Sequence, residues 1–167
     1  MGDADRILAV AARWRAESRI LESVVAGGSM GVALTSGSRI RIQLSSRLAY
    51  DPGEVIAILP ESQFVVHRVT TRARGRGRGH VLTRGDSVVV PDPPVELRRV
   101  LGPVTEVEGA GGWGPVPPLA PGSFRGRWAR RVVLAATATV LFASPRAARR
   151  VIDVLRRLED AVRARPR

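Results

Sequence analysis

Between residues 25 and 108 the chain is written in short β-branched runs, each closed by Gly, Pro, Asp or Ser before a helix could form. The runs read RIRIQ, EVIAIL, QFVVHRVTTRA, HVLTRG and RRVLGPVTEV. Their partial alternation of apolar and polar side chains has the period of a half-buried strand, so an all-β unit is expected here. With 44% apolar residues in 167, the chain has enough hydrophobic surface to close a core around it.

The flanks carry different patterns. Residues 3–24 open with aspartates suited to a helix N-terminus and space Ile7, Val10, Trp14, Leu21 and Val24 at helical intervals, so residues 1–24 are expected to form an N-terminal helix. Charges run through this stretch, which fits neither a secretory signal nor a membrane anchor, and a cytoplasmic or membrane-surface location is expected. Residues 109–122, GAGGWGPVPPLAPG, read as a Gly/Pro linker. Residues 123–167 read as a basic helical appendage.

Within that appendage, the uncharged run from Val132 to Ala143 spans about 18 Å as a helix, short of the roughly 30 Å hydrocarbon core of a bilayer. Ser144 and Pro145 then suit an N-cap and first helical position, and Val151, Leu155, Leu158 and Val162 fall on one stripe. Twelve arginines against three carboxylates give residues 123–167 a balance of +9 out of the chain's +12. Such a patch attracts anionic lipid, nucleic acid or an acidic partner through one Coulomb term. Two arrangements follow: a basic hairpin on an anionic membrane surface, or helices packed on the β unit or on a second copy of the chain.

The absence of cysteine removes disulfides and thiolate metal sites, and two histidines, His67 and His80, are too few for a structural zinc, so no metal or cofactor is expected. His80 follows the RARGRGRG run, which reads as a hairpin loop, and is expected in that exposed loop. The Arg-Gly run lacks interleaved aromatics, and nucleic acid is not an expected partner.

Three punctuated β segments bring together the residue types of nucleophilic catalysis. GGSM holds Ser29, VVHRV holds His67, and VLTRGDSVVVPD holds Asp86 and Asp92. A serine hydroxyl needs a base near neutral pH, an imidazole supplies it, and a carboxylate behind the ring holds the productive tautomer. All 27 basic residues are arginine, so a lysine base is excluded.

The order and local context of these pieces resemble the type I signal peptidases, serine peptidases whose β-rich fold is shared with LexA-like self-cleaving repressors. The matching pieces are GSMGV, SGSRIRI, GEVIAI, VVHRV, TRGD and VLGPV, over residues 25–108. The resemblance implies a LexA/signal peptidase-like, barrel-like catalytic unit that cleaves a leader, signal or precursor peptide. Its histidine branch, in which the base stands in a His-Arg-Val context, is the one VVHRV is similar to. By that likeness Ser29 is the nucleophile, His67 the base and Asp92 the first choice of acid, with Asp86 second as acid or organiser. Gly28 is expected to let substrate approach the backbone, and Met30 to line the cleft or sit in the core.

The sequence departs from the family pattern at Val32, where proline is usual, and at Gly37-Ser38 and Gly53-Glu54, where Gly-Asp is usual. The charged N-terminal segment departs from the family's membrane anchor, which points to trimming of a dedicated peptide. An inactive binding module docking through the basic tail on membrane, nucleic acid or a protein is the alternative function. A self-cleaving regulator would need a DNA-binding helical domain that residues 1–24 are too short to form.

Overall fold

The computed structural model describes residues 3–47, 49–60, 64–71, 79–119, 132, 133, 135, 136, 139, 140 and 144–163. It is mainly β: a curled antiparallel sheet of eight strands with a helix at each end of the chain. Helix α1 spans Asp3–Ala16 and is followed by β1 (Ile20–Val24), β2 (Arg39–Gln43), β3 (Val55–Ile58), β4 (Val65–Thr71) and β5 (His80–Arg84). Then come β6 (Val95–Glu96), β7 (Val100–Gly109), β8 (Gly112–Pro115) and helix α2 (Pro145–Arg163).

The strand order is β1-β2-β7-β3-β4-β5-β6, with β8 hairpinned onto β7. The ten-residue β7 holds the sheet together by pairing β2 along one part and β3 along another. Register shifts at Arg41/Ile42, Ala57/Ile58 and Val69/Thr71 insert irregularities that bend the strands, and so the sheet curls. Gly102 lies where β7 passes β2 so closely that a Cβ on it would come within 1.9 Å of the Gln43 carbonyl oxygen.

Curling leaves apolar side chains on both sides of the sheet, in separate clusters. Met30, Leu34, Ile40, Ile42, Leu44 and Val104 form part of one, covered by Leu8, Ala11 and Trp14 of α1. Arg15 ties that helix down by donating to the Val100 carbonyl at 2.6 Å. Tyr50, Ile56, Ile58, Val69 and Val81 belong to the second.

Two segments differ from the sequence-based boundaries. The N-terminal helix stops at Ala16, because Ser18 turns left-handed (φ 50°) and its amide and that of Arg19 close on Arg15 and Trp14 carbonyls; residues 20–24 then pair with β2. The expected linker begins inside β7 and contains β8, where GWGP is held extended by pairing with residues 106–109.

His80 is a further correction. It opens β5 opposite Glu96 and is half-buried, since the strand reaches past the loop that was expected to hold it. Residues 72–78 of the Arg-Gly run lie outside the described residues.

Helix α2 packs on the sheet through Ala148 and Ile152, both 0% exposed, with Ile152 against Leu82 and Val90. The expected stripe is therefore rotated. Leu155 touches the cluster, but Val151 is half-buried, Leu158 is 59% exposed, and the side chain of Val162 lies outside the described residues. The rotation has a polar cause: it turns Arg156 and Glu159 toward the sheet, where both find partners. Among the described residues, no helix is long and apolar enough to cross a membrane.

Candidate active site

Strand alternation sorts the chemistry. His67 and Arg68 are neighbours in β4, so their side chains leave on opposite faces of the sheet. Each meets a different carboxylate from the segment after β5. His67 Nδ1 lies 2.5 Å from Asp92 Oδ2, whereas Arg68 holds Asp86 in a two-pronged pair at 2.9 and 2.8 Å. Asp92 is thus the acid behind the imidazole, and the second-choice reading of Asp86 as that acid does not describe its position. Arg68 also donates to the carbonyls of Gly53 and Pro117, so this buried pair ties the strand to two loops.

Ser29 closes the line. Its Oγ lies 2.8 Å from His67 Nε2. A carboxylate only accepts hydrogen bonds, so the proton on the ring belongs on Nδ1, donated to Asp92; Nε2 is then the acceptor for the serine hydroxyl. Residues 29, 67 and 92, far apart in sequence, form one continuous hydrogen-bonded row. His67 and Asp92 are each 8% exposed, so the Coulomb and hydrogen-bond terms act there with reduced screening from water.

The loop bearing the serine is held by the turn after β5. Gly28 and Gly31 close a tight turn through a 3.0 Å backbone bond, which lifts Ser29 out of strand geometry. The Ser87 amide donates to the Ser29 carbonyl at 2.9 Å, and the Ser87 hydroxyl donates to the carbonyls of Gly28 and Ser29. Gly85 faces the same carbonyl so closely that a Cβ would stand 2.5 Å from it. The glycine of TRGD is therefore a spacing residue for the serine loop, a role that neither its composition nor its periodicity announces.

Gly28 itself has open space around it, with nothing beyond its chain neighbours within 4 Å of the Cβ position. Met30 is 1% exposed and packs in the first cluster. Of its two readings, the core methionine describes it and the cleft wall does not, because its side chain is buried among Leu34, Ile40 and Ile42.

Asp92 has two further partners that the motifs did not reveal. The Thr83 hydroxyl donates to Oδ2 at 2.7 Å, and the Asp92 amide donates back to the Thr83 carbonyl at 2.7 Å. Arg156 of α2 donates to Oδ1 at 2.6 Å. Thr83 was legible in principle, since it precedes the Arg-Gly-Asp turn by one residue; Arg156 is 64 positions away from its partner and only docking brings it there. No group of His, Asp and Glu suited to a metal ion occurs among the described residues. No protein-family model matches the chain, and no curated protein matches it.

Proposed function

We propose that the protein is a serine endopeptidase of the type I signal peptidase kind, in its histidine branch, with Ser29 as nucleophile, His67 as general base and Asp92 as orienting acid. The observation that carries this reading is the unbroken row Ser29 Oγ to His67 Nε2 to His67 Nδ1 to Asp92 Oδ2. A LexA/signal peptidase-like architecture is part of the proposal, supported by the curled antiparallel sheet and by a serine presented on a turn before β2.

The chemistry is acyl transfer. Ser29 Oγ attacks the scissile carbonyl while its proton passes to His67 Nε2, and the ring, now doubly protonated, is stabilised by Asp92. The tetrahedral oxyanion requires a donor near the nucleophile, and the Ser29 amide is the candidate. Collapse breaks the C–N bond and His67 returns the proton to the leaving amine. Water then repeats the sequence on the acyl-serine, releasing the carboxylate product and restoring the hydroxyl.

The resemblance supplies the substrate class, an extended leader or precursor peptide with small side chains beside the cut bond. An anionic membrane surface for the basic C-terminal region remains part of the proposal, whereas the packing of Ala148 and Ile152 favours docking of α2 itself on the β unit. The inactive binding module gives the row no role, whereas the peptidase reading uses both of its hydrogen bonds.

The experiment is a peptide-cleavage assay with product identification by mass spectrometry. Ser29→Ala and His67→Ala are expected each to lower kcat by at least about 10³-fold, and by similar factors, because the two act as a unit. Undiminished cleavage by Ser29→Ala overturns the assignment.

A further inference from the structure

The catalytic row is served by an element outside the β unit, and nothing in the peptidase reading requires it. Asp92 Oδ2 receives both the imidazole and the Thr83 hydroxyl, while Oδ1 receives Arg156 of α2 at 2.6 Å. A carboxylate turns easily about its last torsion, so bonds to one oxygen alone leave its plane loosely set. Bonds to both oxygens fix the plane, and with it the direction in which Oδ2 faces His67.

The same helix holds the segment that carries Asp92. Glu159, one turn beyond Arg156, accepts from the amides of Val89 and Val90 at 3.2 Å each. Ile152, one turn before it, is fully buried against Leu82 and Val90. Apolar, cationic and anionic side chains at successive turns thus grip residues 89–92 from one helix face. The Arg156 side chain is 43% exposed, so its ion pair contributes little to stability; its consequence lies in where the carboxylate points.

We infer that α2 is a positioning element for the catalytic acid, with Arg156 as a positioning residue that sets Asp92 against His67. The inference rests on the serine peptidase reading for its catalytic meaning. Its geometric content can be tested without any substrate.

The test uses the full chain and follows the ring Nδ1 proton of His67 by proton NMR, assigned by its loss in His67→Ala, together with kcat, KM and thermal melting. Arg156→Ala is expected to broaden or remove that resonance. It should also lower kcat by about tenfold or more with KM within about twofold, while melting stays cooperative. Arg156→Lys should recover the resonance and much of the rate, and added guanidinium should partly restore Arg156→Ala. Arg157→Ala, an exposed neighbour with the same charge change, should match wild type.

An unaltered resonance in Arg156→Ala overturns the inference. So does a loss of the resonance that accompanies loss of cooperative melting and is not recovered by lysine. If the resonance responds as expected but neither wild type nor any variant cleaves peptides, the peptidase reading fails and the positioning of Asp92 stands.

Discussion

At the scale of residues, one substitution pair separates the two carboxylates that the motif left in competition. Asp92 has one oxygen on the imidazole, so Asp92→Asn should disturb the ring tautomer and lower kcat by roughly 10³-fold or more. Asp86 neutralises Arg68, with both side chains about nine-tenths buried. Asp86→Asn should therefore cost roughly 3 kcal/mol in denaturant unfolding, with kcat of the folded fraction within tenfold of wild type. Equal kcat losses in the two variants would contradict the division of roles. Ser29, His67 and Asp92 were legible because each sits in a short motif whose order survives in one dimension. Their supports were not: Gly85 is identified only by the carbonyl pressing on it, and Arg156 only by the docking of a distant helix.

Among elements, β7 decides the architecture, since it lies between β2 and β3 and pairs with both. Gly102 permits that meeting, and Gly102→Ala would drive a methyl group into the Gln43 carbonyl, a backbone atom that has little room to move. The expected result is destabilisation of about 1–3 kcal/mol or more, read from chemical denaturation; wild-type stability would contradict the close crossing. The strands of residues 25–108 were readable from β-branched alternation and turn residues. β1 was hidden behind a helix that no Gly or Pro terminates, and β8 is a Gly-rich tetrapeptide whose extended form comes from pairing with β7. The buried face of α2 is not legible for a related reason, because apolar periodicity cannot foresee that Arg156 and Glu159 will be docked inward.

For the molecule as a whole, alkaline stability draws on a buried phenol in the core. Tyr50 is 2% exposed in the second cluster, and burial pushes its phenol up from its ordinary value. A raised pKa in the folded state means that its contribution is fully present below the unfolded value of about 10 and is lost as pH rises beyond it. Tyr50→Phe should therefore flatten the loss of stability above about pH 10, measured as Tm against pH; an unchanged alkaline slope would contradict that account. The sheet, its apolar clusters and α2 together bring residues 29, 67, 92 and 156 to one place, although they span most of the chain. The central claim is that Ser29 becomes acylated. The most direct measurement is rapid mixing with an activated ester of a short alanine-ended peptide, acid quenching and peptide mapping. The account predicts the acyl mass on the fragment containing Ser29 and none in Ser29→Ala. Acylation of another residue, or equal ester turnover by Ser29→Ala, would contradict it.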